Sequence, residues 1–117
     1  MWILFSIEKC PYCQRLKQLL QKKKIPFYER SLSTSQEDRT LFKTCTGKTT
    51  APQLGWTDVE DKKLWKGSFK NVVVKRALKK IEWLGNCDEV EEMFHTAEVA
   101  KKEMWFQRWT LFTRKQK

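Results

Sequence analysis

The chain begins with apolar runs that alternate with patterns of helical spacing. Residues 2–7 are largely apolar, which is typical of a buried strand. Residues 11–24 place three leucines on one helical face and polar side chains on the other, so they predict an amphipathic helix. Residues 26–31 suggest a second strand, since they combine proline and aromatic residues with alternating polarity.

The middle of the chain predicts another helix, a hairpin and a longer helix. Ser35 followed by Asp38 resembles a capping box, and Gly47 is a helix stop signal. Two short apolar runs flank a polar turn, as expected for a hairpin. The predicted elements are a helix between Ser35 and Gly47, strands over residues 53–56 and 63–66, and a helix over residues 69–84.

The resulting order, β-α-β-α-β-β-α, indicates an α/β fold with a small central mixed sheet. After a stop at Gly85, a further helix is predicted from Asp88 toward Phe112. The chain therefore divides into a domain over residues 1–84 and a helical extension over residues 85–117. We expect the extension to pack on the domain; a docking or dimerising helix and a membrane-surface contact are the alternatives. The aromatic residues on its apolar side are Phe94, Trp105, Trp109 and Phe112.

The net charge of +10 is unevenly distributed. Residues 1–84 hold 18 Lys and Arg against 8 Asp and Glu, whereas residues 85–117 hold 6 of each kind. A basic module attracts acidic peptides, acidic protein surfaces and nucleic acid alike, so a nucleic-acid or protein-binding module is the competing function class. Nucleic acid is the less favoured partner, because no recognised nucleic-acid motif is present.

The rest of the composition indicates the cellular compartment and the chemistry of the cysteines. With 117 residues, 40% of them hydrophobic, one domain with a buried core is feasible. No stretch is long and apolar enough for a signal peptide or a membrane span, so we expect a cytoplasmic protein. In a reducing cytosol, four cysteines indicate redox or metal chemistry rather than a structural disulfide framework.

Two of the cysteines lie in Cys10-Pro11-Tyr12-Cys13, between the first predicted strand and the first predicted helix. At the N-cap, Cys10 would face unpaired N–H groups that favour a reactive thiolate of lowered pKa, and Lys9 adds a cation beside it. Pro11 suits the first helical position. Cys13 would be more buried and less acidic, which is typical of a resolving thiol.

Other interpretations of the two cysteines stay open at this point. A zinc site would need ligands from Cys45, Cys87 and His95, which are widely separated and include no second Cys-x-x-Cys. An iron–sulfur cluster and a pair of ordinary core thiols are the remaining alternatives. We expect Cys45 and Cys87 to be structural, with glutathionylation open to Cys87 if it is exposed. We expect His95 to face solvent.

A substrate groove is suggested by Thr50-Ala51-Pro52, just before a predicted strand. If the bond before Pro52 is cis, the backbone of Ala51 can pair with an extended peptide beside Cys10. A trans proline that starts an edge strand is the alternative.

Together, Cys10-Pro11-Tyr12-Cys13 and Thr46-Gly47-Lys48-Thr49-Thr50-Ala51-Pro52-Gln53 closely resemble the glutaredoxins, a branch of the thioredoxin fold. The resemblance covers about residues 2–84. The first motif is the characteristic dithiol sequence. The second differs from the usual T-G-(R/K)-x-T-V-P-Q only by Ala51 in place of valine.

The resemblance implies reduction of protein or mixed glutathione disulfides, with glutathione as co-substrate and no metal. Cys10 would be the nucleophile and Cys13 the resolving residue. The residues implied for the glutathione groove are Lys9, Tyr12, Thr50, Ala51, Pro52, Gly67 and Ser68.

Two departures keep a second hypothesis open. Ile7 stands where the family usually has Lys or Arg, and Lys66-Gly67-Ser68-Phe69 stands for the usual Gly-Gly, a small or aromatic residue, and Asp. The alternative is a redoxin that a flavoenzyme of the thioredoxin-reductase type reduces. Such a redoxin would donate electrons to ribonucleotide reductase.

Overall fold

The computed structural model describes residues 1–99, with side chains described as far as Phe94. Strands and helices alternate from β1 to β3, as the hydrophobic pattern predicts, and two successive helices then precede the last strand. The elements in order are β1 (Trp2–Ser6), α1 (Pro11–Lys22), β2 (Tyr28–Ser31), α2 (Gln36–Thr46), β3 (Gln53–Trp56), α3 (Lys62–Lys66), α4 (Val72–Lys79), β4 (Glu82–Gly85) and α5 (Cys87–Val99).

The strands form one mixed sheet in the order β2-β1-β3-β4. β1 is parallel to β2 and antiparallel to β3, and β3 is antiparallel to β4. All five residues of β1 are buried, as expected for an inner strand covered on both faces. The predicted small mixed sheet of a thioredoxin-like fold is thus confirmed.

Helices cover both faces of the sheet. Because side chains alternate along β1, Leu4 faces α1 and α5, whereas Phe5 faces α2, α3 and α4. The first core consists of Trp2, Leu4, Leu16, Leu20, Ile25, Leu54, Trp56, Leu84, Cys87, Val90 and Phe94. The second consists of Ile3, Phe5, Leu32, Phe42, Trp65, Phe69, Val74, Ala77, Leu78 and Ile81.

The strand predicted over residues 63–66 is wrong, because this segment is helix α3. The Asp61 side chain accepts hydrogen bonds from the N–H groups of Lys63 and Leu64, which starts a helical turn. Trp65 is fully buried, and its indole N–H donates to the carbonyl of Val59. A local cap and one buried aromatic therefore decide this segment.

The helix predicted over residues 69–84 is too long. α4 ends at Lys79, and the chain then forms β4, which pairs with β3. Ile81 and Trp83 pack on the second core and Leu84 on the first, which is the alternation of a strand. Strands β3 and β4 are thus joined through two helices instead of a hairpin turn.

The predicted C-terminal helix is present as α5 over its described part. Cys87, Val90 and Phe94 are buried in the first core. The proposed boundary between residues 84 and 85 stays a prediction. The residues Trp105, Trp109 and Phe112, on which the docking and membrane alternatives depend, lie outside the described residues. Within residues 1–99, no helix is both long and apolar enough to span a membrane.

Candidate active site

Cys10 occupies the N-cap of α1, and Pro11 is the first helical residue, as the sequence predicts. The Cys10 sulfur accepts a hydrogen bond from the N–H of Cys13 at 3.1 Å. A helix N-terminus with a donor aimed at sulfur stabilises negative charge there. Lys9 precedes it in a left-handed conformation, with φ of 52°. Its exposed side chain places a cation at the same turn.

Cys13 lies one turn further into α1 and is only 1% exposed, against 8% for Cys10. Burial, together with a hydrogen bond to Cys10, raises the pKa of the Cys13 thiol to about 12. Neither cysteine is in a disulfide. Cys13 is therefore the more buried of the two thiols, and it is held protonated beside Cys10.

The groove segment lies directly beside Cys10. The Cys10 thiol points at the carbonyl oxygen of Ala51, with sulfur and oxygen 3.9 Å apart. The Ala51–Pro52 peptide bond is cis. Gln53 follows as the first residue of β3 and pairs with Phe5 of β1, so the end of β1 and the start of β3 meet at this edge. The structure thus brings together two motifs that are forty residues apart.

The neighbouring groove residues have clear structural roles. Thr50 accepts a hydrogen bond from the Gln53 side-chain amide at 2.9 Å, which fixes the loop that enters β3. Tyr12 is 53% exposed and is therefore available to contact a ligand. Ile7, in place of the usual family cation, is also exposed beside the turn.

A group of cations that the sequence did not predict lies beside Ala51. A cavity of about 200 Å³ opens between α2 and the loop before β3. Its lining includes Ile7, Thr50 and Ala51. The three cationic residues that line it are Arg39, Lys43 and Lys48. Ile7 gives this cavity no positive charge. Arg39 and Lys43 of α2 and Lys48 of the following loop supply it instead.

Gly67 and Ser68 lie in the loop between α3 and α4, on the face of the sheet that carries the second core. The Gly67 carbonyl accepts a hydrogen bond from Arg30 at 3.3 Å. The Ser68 side chain accepts one from the Lys70 N–H. The loop is therefore tied to β2 through Arg30, and it does not connect the last strand to the last helix.

The segment that does connect β4 to α5 is Gly85-Asn86-Cys87-Asp88. It has the same spacing as the Gly-Gly-x-Asp pattern sought at residues 66–69, with Asn86 as the second residue. Gly85 has φ of +129°, a backbone conformation that favours glycine. Asn86 accepts a hydrogen bond from the Glu89 N–H, and Glu89 accepts one from the Asn86 N–H. This reciprocal cap starts α5.

This segment opens at the same edge of the sheet as Cys10. Arg15 of α1 pairs with Glu91 of α5 at 2.8 Å. Beyond the end of α1, Lys23 lies over the Phe94 ring at 5.7 Å from its centroid. The two helices therefore run in the same direction. Gly85, which pairs with Leu54 in β3, lies at the edge where β3 begins.

The remaining candidate ligands do not form a metal site among the described side chains. Within that part of the chain, no three His, Cys, Asp or Glu residues come together around a common point. Cys87 is only 2% exposed, so the condition for its predicted glutathionylation is not met. Its thiol donates to Glu91 at 3.1 Å. Burial and this carboxylate raise the pKa of Cys87 to about 12. The side chain of His95 lies outside the described part.

Comparisons with known proteins agree with this geometry. Residues 3–56 match the family model for glutaredoxin. Over 54 residues the chain is 37% identical to glutaredoxin 1 of Rickettsia prowazekii, which is 44% of this chain and 57% of that protein. It is 38% identical over 52 residues to glutaredoxin of Pseudomonas aeruginosa, or 44% of this chain and 62% of that protein. The chain thus spans between half and two thirds of these curated relatives.

The family match ends where β3 ends, at Trp56. It includes both cysteines of the turn and the cis-proline loop. The next 25 residues, 57–81, carry α3 and α4 and separate β3 from its partner β4. We call residues 57–81 the insertion, because they separate the paired strands β3 and β4, and the segment from Gly85 to Asp88 follows them.

Proposed function

Since the chain belongs to the glutaredoxin family, we propose that it is a thiol-disulfide oxidoreductase that reduces protein or mixed glutathione disulfides, with glutathione as the reductant. The observation that supports this most directly is Cys10 at a helix N-cap. There its sulfur accepts the Cys13 N–H and lies 3.9 Å from the Ala51 carbonyl. The chemistry requires a reducing compartment, and we propose the cytoplasm.

In the proposed reaction, the Cys10 thiolate attacks one sulfur of the substrate disulfide. A mixed disulfide forms on Cys10, and the other substrate sulfur leaves as a thiolate that takes up a proton. Cys13 then loses its proton and attacks the Cys10 sulfur, which releases the second substrate thiol and forms a Cys10–Cys13 disulfide. Two glutathione molecules reduce this disulfide and become oxidised glutathione. The raised pKa of Cys13 keeps it from competing with Cys10 in the first step.

We propose that glutathione lies along the loop before β3, with the Ala51 backbone pairing with its cysteinyl part. Lys9, Tyr12, Thr50 and Pro52 complete this wall of the groove. The cations Arg39, Lys43 and Lys48 would hold a carboxylate of the tripeptide, in place of the family cation that Ile7 replaces.

Gly67 and Ser68 are the other groove residues that the family resemblance implies, and they would contact the γ-glutamyl end of glutathione. We now favour Gly85 to Asp88, because this segment begins a helix at the edge where α1 also begins. Its backbone N–H groups suit a carboxylate. Exchange of Asn86 by Asp would place a second negative charge there, and we expect it to raise the KM for glutathione without changing the unfolding midpoint.

The competing hypothesis is a redoxin that is reduced by a flavoenzyme and serves ribonucleotide reductase. Ile7 in place of the family cation favours it, because a glutathione contact is removed at that position. The deciding experiment is a coupled assay on a mixed disulfide of glutathione. One arm contains glutathione and glutathione reductase, and the other contains thioredoxin reductase alone.

Wild type, Cys10→Ser, Cys13→Ser and a Cys45→Ser control are compared in both arms. We expect turnover with glutathione, total loss in Cys10→Ser, and no effect of Cys45→Ser. Retained turnover in Cys13→Ser would indicate that the mixed disulfide on Cys10 is resolved by glutathione. Turnover only with the flavoenzyme would replace the proposal by the redoxin alternative, and activity in Cys10→Ser would refute the assignment of the nucleophile.

A further inference from the structure

The insertion between β3 and β4 carries a surface that the proposed chemistry does not use. Residues 62–80 contain eight Lys and Arg residues and no Asp or Glu. They form α3, α4 and the loop between them. The family match does not extend to this segment. Half of the chain's net charge of +10 therefore arises from this stretch and the few residues before it.

α4 is firmly anchored through one face. Val74, Ala77 and Leu78 are buried in the second core, and Asn71 caps the helix by accepting the Val73 N–H. The preceding loop is fixed where the Phe69 N–H donates to Asp38 at 3.0 Å. The opposite face of α4 is therefore presented to solvent in a defined orientation.

This outer face combines apolar and cationic side chains. Val72, Arg76 and Lys79 follow one another at helical spacing, with Val73 and Lys80 alongside. We call these five residues the α4 surface. Val72 and Val73 are 58% and 55% exposed. Among the described side chains, the only other exposed large hydrophobic residues are Tyr12, at 53%, and Ile7, at 36%, which flank Cys10.

The cations of the α4 surface can be compared with the carboxylates among the described side chains. Nearby, Lys70 pairs with Glu37 at 3.0 Å. Within residues 1–94, no carboxylate pairs with Arg76, Lys79 or Lys80. Two cations in the last turn would suffice to complement the helix dipole, but the surface adds a third cation and two exposed valines.

We propose that the α4 surface docks an acidic, partly apolar segment of the protein whose disulfide Cys10 attacks, an inference that rests on the proposed function. Cations without a carboxylate partner among residues 1–94 complement the carboxylates of a substrate protein, and the valines supply apolar contact that a polyanion backbone does not use. Binding of single-stranded nucleic acid usually relies on exposed aromatic residues on which the bases stack. Here the aromatic residues of the insertion, Trp65 and Phe69, are fully buried.

Docking on the α4 surface would favour binding of the substrate protein and leave the rate of thiol-disulfide exchange at Cys10 unchanged. Complementary charge speeds encounter, and a bound segment raises the effective concentration of its disulfide near Cys10. Substrates that lack an acidic segment, including small mixed disulfides, would react at a rate independent of α4.

The first test measures binding without turnover. A fluorescein-labelled helical peptide of Glu, Asp and Leu is titrated by anisotropy, next to the same peptide with Gln and Asn as the polar residues. The variants are Arg76→Gln/Lys79→Gln and Val72→Ser/Val73→Ser. The control is Lys22→Gln/Lys24→Gln. It removes as many positive charges as Arg76→Gln/Lys79→Gln does, but at the end of α1.

We expect each α4 variant to weaken binding of the acidic peptide about three- to tenfold, through lost ion pairs in Arg76→Gln/Lys79→Gln and lost apolar contact in Val72→Ser/Val73→Ser. The control should change binding less than twofold, and the neutral peptide should bind weakly to every protein. Equal losses in the control and the α4 variants would overturn the proposal. Tighter binding of a labelled RNA or DNA duplex that depends on Arg76 and Lys79 would also overturn it.

The second test measures turnover with a glutathionylated cysteine appended to each peptide. The α4 variants should raise the KM for the acidic peptide and leave the rate on the mixed disulfide of glutathione and 2-mercaptoethanol unchanged. A wild type that binds the acidic peptide but reduces neither substrate would refute the proposed function and not the docking surface. Equal kcat/KM for acidic and neutral peptides would refute the docking role.

Discussion

The ion pair between Arg30 and Asp38 joins three parts of the fold, and its removal gives a quantitative prediction. Arg30 lies on β2 and Asp38 on α2, and their side chains are 8% and 10% exposed. Asp38 accepts from Arg30 at 2.9 Å and from the Phe69 N–H at 3.0 Å. One carboxylate thus ties the insertion to β2 and α2. We predict that Asp38→Asn destabilises the whole domain.

The expected magnitude follows from burial. In Asp38→Asn the guanidinium of Arg30 stays buried beside a neutral amide, and breaking such a pair costs about 3–5 kcal/mol. Arg30 also donates to the carbonyl groups of Trp65 and Gly67, which offset part of this loss. We therefore expect a decrease of about 3 kcal/mol in the free energy of unfolding. For a domain of this size, that lowers the melting temperature by roughly 12 °C.

The measurement is urea unfolding followed by tryptophan fluorescence and far-UV circular dichroism. Glu37→Gln is the matched control, because its pair with Lys70 is exposed and lies on the same helix. Exposed pairs contribute little, so the control should change the free energy of unfolding by less than about 0.5 kcal/mol. If Asp38→Asn costs no more than Glu37→Gln, the Arg30–Asp38 pair does not hold the insertion in place.

Three further predictions concern single positions. A methyl group at Gly55 would collide with the Ile81 side chain and lie 3.1 Å from the Trp83 ring, so Gly55→Ala should cost about 1–3 kcal/mol; a neutral result in urea unfolding would contradict this packing. Lys9 has φ of 52°, so Lys9→Gly should be more stable than Lys9→Ala by about 0.5–1 kcal/mol, and equal unfolding midpoints would show that this turn is unstrained. The raised pKa of Cys87, about 12, means that the unfolded chain releases this proton near pH 9 while the folded chain retains it. Stability should therefore fall above that pH, less steeply in Cys87→Ala than in wild type, and equal slopes in unfolding at pH 8 to 10 would refute the assignment.

The sequence predicted the parts of the fold that local signals determine. Cys10 before Pro11 marks the start of α1, and the Ser35 cap and Gly47 mark the limits of α2. Each of these features depends on residues within one helical turn. The hydrogen bonds at a helix end come from residues close to it in sequence. The limits of these helices can therefore be predicted from the sequence alone.

The sequence did not predict β4, because its pattern is compatible with two structures. Ala77, Ile81 and Leu84 recur at helical spacing, and they were therefore assigned to one long helix. In the structure Ile81 and Leu84 belong to opposite cores. Only pairing with β3 decides between the alternatives, and that contact joins residues separated by the whole insertion.

The insertion also separates two segments that resemble the family's Gly-Gly-x-Asp pattern. Gly67 and Ser68 come first after the cis-proline loop and lie between α3 and α4, whereas Gly85 to Asp88 lie between β4 and α5. Strand β4 ends at Gly85, and the last helix, α5, starts directly after it. Arg39 and Lys43 were missed for a related reason, since nothing local indicates that their face of α2 borders Ala51.

The features that the sequence did not predict have one physical origin, which also explains how the fold accommodates the insertion. The edge formed by Cys10, Pro52 and Gly85 depends on the register of β1, β3 and β4, and that register is unaffected by the length of the chain between β3 and β4. The insertion leaves from Trp56 and returns at Glu82, a residue pair at the opposite end of the sheet. Added helices there can enlarge the second core and present a new surface without displacing the cysteines. Substitutions confined to the α4 surface should therefore alter substrate choice while the reactivity of Cys10 toward small disulfides stays constant, which a comparison of the two kcat/KM values would detect.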